Sequence, residues 1–173
     1  MKQYLSLKFF TIAVLFAVAF AGCSATTSGP NGTQAEGSMI ATVNGQAWSS
    51  TVVPAISGGA KALFNTPVTG AITVTGVSVS LNGTQTIAIA LLNPHLGADS
   101  LGTGNTGTFS YGTPGQDSYV TAGFSSGSVN ITKYDTLNRV ISGTFNFTAH
   151  QIDTLSHVVT VTNGSFVDVE WSK

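Results

Sequence analysis

The C-terminal third of the chain alternates apolar and polar residues, and this pattern constrains the fold more than any other feature. A period of two places alternate side chains on one face of a strand. No stretch of the chain beyond residue 38 sustains a helical period. The sequence therefore predicts an all-β fold, an antiparallel β-sandwich or flattened barrel of about nine or ten strands joined by hairpins, and periodicity alone leaves both closures open. The residues predicted to form the inward face of the last four strands all have odd numbers: Val129, Ile131, Ile141, Phe145, Phe147, Ala149, Val159, Val161, Val167 and Val169.

Asn-Gly pairs mark the turns between several of these strands, because both residues tolerate the positive φ angles of tight hairpin turns. Asn44-Gly45 predicts a two-residue loop that sets Ala41 opposite Trp48 and places Trp48 in the core. Asn163-Gly164 predicts a turn within the last strand pair, with a three-residue loop.

A further Asn-Gly pair, at positions 82 and 83, separates two apolar stretches. A three-residue loop would bring residues 77, 79 and 81 to the same side as residues 87, 89 and 91, so that one face buries both sets. Upstream, Ile72 and Val74 are out of phase with residues 77 and 79, and Gly76 at the break predicts a β-bulge.

The N-terminus predicts export. Lys2 and Lys8 precede an uncharged, mostly apolar run at residues 9–21, which is shorter than the roughly 20 residues that span a bilayer as a helix and is typical of a secretory signal. The run ends in Phe-Ala-Gly-Cys at residues 20–23, which resembles the lipobox of bacterial lipoproteins. That resemblance implies cleavage before Cys23 and lipidation of its sulfur.

The chain is accordingly divided into three parts: a lipoprotein signal peptide (1–22), a lipidated Cys23 with a flexible tether (23–38), and a single all-β domain (39–171). We expect a protein attached to the outer membrane by lipid. Among the bacterial lipoproteins that this N-terminus resembles, those exported to the surface often carry a short acidic signal after the cysteine, and "CSATTSGPNG" has none. This favours the periplasmic side over the cell surface.

The charge of the chain excludes one class of partner. After removal of residues 1–22, four basic residues remain against seven acidic ones, a net charge of −3. No basic residue lies between Lys61 and Lys133, so the sequence lacks the basic patch that nucleic-acid binding requires. The expected partners are the membrane, through the N-terminal lipid, and a glycan or an envelope protein.

Four aspartates recur at intervals of eighteen residues: Asp99, Asp117, Asp135 and Asp153. This spacing predicts turns, which could share one end of the sheet, because Asp before Ser or Thr initiates turns. Two stretches, "DSLGTGNTGTFSY" (99–111) and "DTLNRVISGTFNF" (135–147), share Asp, a hydroxyl residue, Leu and a later Gly-Thr-Phe. Asp-Ser/Thr-Leu also resembles the O-glycosylation motif of Bacteroidota, which implies sugars on Ser100, Thr136 and Thr154.

Three motifs carry a wider family resemblance: "ATVNGQAW" (41–48), "GSVNITKYDTLNRVISGTFNFTA" (127–149) and "VTVTNGSF" (159–166). They resemble a family of uncharacterised Bacteroidota lipoproteins of unknown function. The resemblance implies an all-β extracytoplasmic domain behind a lipid anchor, and it implies no site residues.

Catalytic patterns are weak. "GTGNTG" (102–107) and "GFSSG" (123–127) each precede a predicted strand, whereas the nucleotide-binding and hydrolase motifs that they match require a helix there. His150, Asp153 and His157 are zinc-ligand types without a known zinc-site spacing. The sequence predicts no catalytic residue, metal site or cofactor, hence a structural or binding module rather than an enzyme. The alternative is a small hydrolase or metal-dependent enzyme using the aspartates.

Aromatic residues are the candidates for ligand binding, since lectin-like sandwiches use exposed aromatics. They are Tyr111, Tyr119, Tyr134 and Trp171. The competing interpretation is that Tyr111 caps the core and Trp171 closes the final strand.

Overall fold

A computed structural model describes residues 34–51, 59–65, 70–80, 83–112, 117–123 and 126–172. The predicted signal peptide, Cys23 and most of the predicted tether lie outside these residues. The described segments contain strands and turns without a helix, so none of them holds a helix long and apolar enough to cross a membrane.

The described residues form eleven strands, against the nine or ten expected. Their bounds are β1 (Ser38–Val43), β2 (Gln46–Ser49), β3 (Ala60–Asn65), β4 (Ala71–Ser80), β5 (Gly83–Leu91), β6 (Gly97–Leu101), β7 (Thr106–Tyr111), β8 (Ser118–Val120), β9 (Gly127–Asp135), β10 (Val140–Gln151) and β11 (Val158–Ser172).

The eleven strands belong to one sheet that closes on itself. Its two sides are here called the six-strand sheet, β2-β1-β11-β10-β9-β6, and the five-strand sheet, β3-β4-β5-β7-β8. They meet across the core, where Gly107 of β7 lies against Phe147 of β10. The C-terminal end of β11 pairs with β3 in parallel, and the C-terminal end of β10 pairs with β8. These two junctions close a ring of seven strands, so the predicted all-β, largely antiparallel fold is confirmed.

The core lies where the alternation predicts it, with one correction. Of the ten odd-numbered residues predicted to face inward, all are buried except Val167, which is half-buried, and Phe166 takes its place inside. The reason is an extra residue in β11: Ile141 pairs with Val169, but Gly143 pairs with Phe166. Such a bulge reverses which residues point inward.

The prediction of a turn at Asn163-Gly164 is wrong, because β11 continues through it as one strand of fifteen residues. Asn163 has a φ of 51°, and the register of β11 shifts there against both β1 and β10. The tolerance of asparagine for positive φ serves a β-bulge at this position instead of a hairpin turn.

The predicted register of β4 and β5 is also wrong. Ser80 pairs with Gly83, which leaves a two-residue loop in place of the predicted three-residue one, and Gly76 pairs with Ile87 without a bulge. The inward face of β4 therefore carries Ile72, Val74 and Gly76, while Val79 faces solvent. A side chain at Gly76 would stand 2.9 Å from both Met39 Sδ and a ring carbon of Trp48, so glycine makes room for these two.

The first hairpin is as predicted. Ala41 pairs with Trp48, Asn44 and Gly45 have φ angles of 49° and 81°, and Trp48 is buried. Asn44 also links the hairpin to β11, since its Oδ1 accepts a hydrogen bond of 2.9 Å from the Thr160 backbone N–H.

Candidate functional site

The outer surface of the six-strand sheet carries a continuous set of hydroxyl and amide side chains, here called the polar face. It lies on even-numbered positions of β1, β6, β9, β10 and the first part of β11, opposite the core residues. Its members are Thr42, Ser100, Ser128, Asn130, Thr144, Asn146, Thr160 and Thr162. Across β6, β9, β10, β11 and β1 it is about 19 Å wide at the usual strand spacing of about 4.8 Å.

The strand register brings these side chains into cross-strand rows. Ser128 pairs with Ser100 on one side and with Asn146 on the other, and Asn130 pairs with Thr144. Asn146 Nδ2 donates a hydrogen bond of 3.0 Å to Ser128 Oγ. No Asp, Glu, Lys or Arg occurs in β10 or in β11 before Asp168. The polar face therefore offers hydrogen-bonding groups without formal charge.

Charge is concentrated beside this face, at the end where the turn after β9 leads into β10, here called the β9–β10 end. Lys133 Nζ lies 2.9 Å from Asp168 Oδ1, and Ser142 Oγ donates to the same oxygen at 2.9 Å. The Asp168 N–H donates back to Ser142 Oγ at 2.8 Å. The hydrogen bond from Lys133, followed by that from Ser142, lowers the pKa of Asp168, and the same contact raises the pKa of Lys133. Asp168 lies at the β11 bulge and has a φ of 44°. Ser142 therefore provides a partner for the Asp168 backbone N–H at this irregular position.

The β9–β10 turn is held by a single carboxylate. Asp135 Oδ1 accepts hydrogen bonds from the backbone N–H groups of Leu137 and Asn138, at 3.0 and 2.9 Å. Asp135 Oδ2 accepts one of 2.7 Å from Asn138 Nδ2. The bonds from Asn138 are the main reason why the pKa of Asp135 is lowered. This is the predicted Asp-initiated turn.

The structure does not bring the four recurring aspartates together. Asp135 and Asp153 flank the two ends of β10, which at twelve residues is about 40 Å long. Asp117 accepts a hydrogen bond from Gln151 at the opposite or β10–β11 end, whereas Asp99 lies within β6 and pairs with Val129. Asp99 is therefore not a turn residue, and the four aspartates do not share one end of the sheet.

Gln151 organises the β10–β11 turn. Its Oε1 accepts a hydrogen bond of 2.9 Å from Thr154 Oγ1 and lies 2.7 Å from His157 Nδ1. Its Nε2 donates to Asp117 Oδ1 at 2.6 Å. His157 is thus engaged by an amide, and the described residues contain no group of three or more His, Cys, Asp or Glu placed to hold a metal ion.

The four aromatic candidates fall into two separate contacts. Tyr111 and Tyr119 have ring centroids 6.5 Å apart, at the β10–β11 end. Tyr134 and Trp171 are 5.1 Å apart, at the β9–β10 end. Tyr119 and Trp171 are each only 7% exposed, and Tyr111 and Tyr134 pack against the core. The four do not form one exposed platform, and the arrangement agrees with the competing interpretation of core caps.

The proposed sugar acceptors occupy different environments. Thr136 is exposed in the β9–β10 turn and Thr154 is exposed in the β10–β11 turn. Ser100 is exposed on strand β6, but the Leu101 that follows it is fully buried. The leucine of the motif is therefore accessible to a modifying enzyme in the two turns, whereas in β6 it is buried in the core.

The polar face is not among the sites that the sequence predicts, which consist of aromatic residues and aspartates. A signal that could have found it was present: the even positions between the inward residues 129, 131, 145, 147, 159 and 161 are Asn, Thr or Ser, without a charge.

The chain belongs to a protein family described as a domain of unknown function (DUF6252), whose match covers residues 35–170. This range includes nearly all of the described β-domain. Neither a curated protein nor a solved structure matches the chain.

Proposed function

We propose that this protein is a lipid-anchored β-domain of the bacterial cell envelope that binds a neutral glycan through the polar face. The observation that carries the binding role is the uncharged array of Ser, Thr and Asn side chains across the six-strand sheet. Hydroxyl and amide groups donate and accept hydrogen bonds, as do the hydroxyl groups of a sugar.

The proposed location follows from the N-terminal sequence. Its lipobox-like end at residues 20–23 and its Bacteroidota-type motifs favour an outer-membrane lipoprotein that faces the periplasm. Two or more acyl chains hold a protein stably on a membrane, where a single chain does not. An envelope protein is the other binding partner compatible with this location.

The anchor is tested on protein extracted from its native membranes. The mass of the N-terminal peptide should equal that of a chain beginning at acylated Cys23. A Cys23→Ser variant should lose that mass and move from the membrane fraction to the soluble fraction. An unmodified N-terminal peptide on membrane-extracted protein would contradict the anchor.

Glycan binding is tested with neutral and anionic polysaccharides immobilised side by side. Thr144→Arg adds a bulky charge at the centre of the polar face and should reduce binding to the neutral polymers by about five- to 150-fold, since a polar group of the bound glycan left buried without a partner costs about 1–3 kcal/mol. Thr75→Arg is the matched control, because Thr75 lies on the outer face of the five-strand sheet. Equal loss of binding in both variants, or preference for the anionic polymers, would contradict this role of the polar face.

A further inference from the structure

Leu137 is the most exposed large apolar side chain among the described residues, with 92% of its surface open to solvent. It lies in the β9–β10 turn that the Asp135 carboxylate holds through the Leu137 and Asn138 N–H groups. The fold thus holds this side chain in water, where it gains nothing from burial.

Three more exposed leucines lie at the same end of the domain. Leu63 pairs with Ser172 at the C-terminal end of β11. Leu92 directly follows β5, whose last residue Leu91 pairs with Ile72. Leu96 directly precedes β6. Leu63, Leu92, Leu96 and Leu137 are here called the leucine end.

The chain joins the domain near this end. Gly37 N–H donates to Val167 O at 2.7 Å, and the negative charge of Glu36 acts on Lys133 in the charged cluster. Ten residues separate Cys23 from Gln34, which at full extension reach about 35 Å at most. A lipid on Cys23 therefore keeps this part of the domain close to the bilayer.

The other exposed large apolar residues lie at the β10–β11 end: Val79, Ile152, Leu155 and Val158. Val158 begins β11, nine residues before Val167, and is therefore about 30 Å farther along the strand from the point where the chain joins. Exposed apolar residues alone need no explanation. The position of the chain attachment distinguishes the two ends.

We propose that the leucine end rests on the bilayer surface, with Leu137 inserted at the boundary between headgroups and acyl chains. This inference depends on the proposed anchor at Cys23. The favoured surface is zwitterionic, because the chain from Cys23 onwards carries a net charge of −3. Anionic lipid would repel the excess negative charge.

The test uses the cysteine content of the chain. Cys23 is the only cysteine and acylation blocks its thiol, so Leu137→Cys supplies a single site for an environment-sensitive fluorophore. The matched control is Leu155→Cys at the β10–β11 end, an exposed turn leucine with 54% of its surface open. Both lipidated variants are placed in phosphatidylcholine vesicles that contain a lipid with a quencher on its acyl chain.

We expect a blue-shifted emission and about threefold stronger quenching at position 137 than at position 155, since an inserted side chain lies about 5–10 Å inside the interface. Replacing a third of the lipid with phosphatidylglycerol should lower the quenching at position 137. Equal quenching at both positions on protein that floats with the vesicles would overturn the inference and leave the anchor intact. Protein that does not float would overturn both the anchor and the inference.

Discussion

Gly107 lies under the ring of Phe147, so that a Cβ atom at position 107 would stand 2.8 Å from Phe147 Cδ1. Gly143 lies in the same way under Phe166, where a Cβ would stand 2.8 Å from Cζ. Each glycine is followed two residues later by an inward phenylalanine, Phe109 or Phe145. The Gly-Thr-Phe that occurs twice in the sequence is therefore a packing unit, in which a missing side chain accommodates a ring and the next inward position supplies another.

Gly107→Ala should destabilise the domain by about 1–3 kcal/mol, the usual cost of adding a methyl group to a filled core. The measurement is the free energy of unfolding in urea. The added carbon would meet the face of Phe147, which is held by its stacked neighbour Phe145 at a centroid distance of 6.2 Å, so the ring has little room to withdraw.

Gly107→Ala combined with Phe147→Leu supplies the control. If the clash with the ring is the cause, the alanine should cost much less in the Phe147→Leu background than in the wild type, giving a coupling energy of about 0.5–3 kcal/mol. Additive costs would show that Gly107 is required for its backbone and not for the space above it.

The sequence predicts the fold class because the alternation in the C-terminal third follows from burial of one sheet face. It fails for β4, where apolar residues occupy both parities: Ile72 and Val74 on one, Val77 and Val79 on the other. Packing decides between them, because Gly76 must face Met39 and Trp48. A glycine gives no apolar signal even when its position points inward.

The corrected register of β4 is tested by the same substitution at two positions of one strand. Val74→Thr should cost about 1–3 kcal/mol, because it places a hydroxyl group in the core without a partner. Val79→Thr should change stability by less than about 0.5 kcal/mol, as expected for a surface position. Val74 is fully buried and Val79 is 52% exposed. A cost at Val79 as large as that at Val74 would restore the predicted register, in which a bulge at Gly76 turns both residues inward.

The candidate site was harder to predict than the fold. Local turn chemistry correctly identifies the Asp135 turn, since its hydrogen bonds involve only neighbours in sequence. The polar face needs the register of five strands, and the contact of Lys133 with Asp168 needs a bulge in β11. Neither follows from residue types alone.

Asp168→Asn should lower the free energy of unfolding at neutral pH. It should also make that free energy depend less on pH in the acidic range. The pKa of Asp168 is lowered in the folded state below its ordinary value of 3.8 by Lys133 and Ser142. Its contribution is therefore fully present above that ordinary value and is lost as the pH falls through the lowered one. The difference in unfolding free energy between wild type and variant should shrink as urea titrations move from pH 7 towards pH 2.

Asp153→Asn is the control for this acid dependence. Asp153 is exposed in the β10–β11 turn, away from the charged cluster. Its replacement should leave the change in unfolding free energy between pH 7 and pH 2 close to that of the wild type. An equal effect of the two variants would assign the acid dependence to net charge and not to the contact with Lys133 and Ser142.

Glycopeptide mass spectrometry of the native protein tests the predicted sugar acceptors against their exposure. We expect sugar on Thr154 and none on Ser100, because Leu101 is buried in the core and β6 would have to separate from β9 to present its motif. Thr154→Ala should remove the modified peptide without affecting membrane attachment. Sugar on Ser100 with a bare Thr154 would contradict the exposure argument.

Sugar on Thr136 would hold Leu137 away from lipid, so the same spectra also test the bilayer contact, which requires that Thr136 be unmodified.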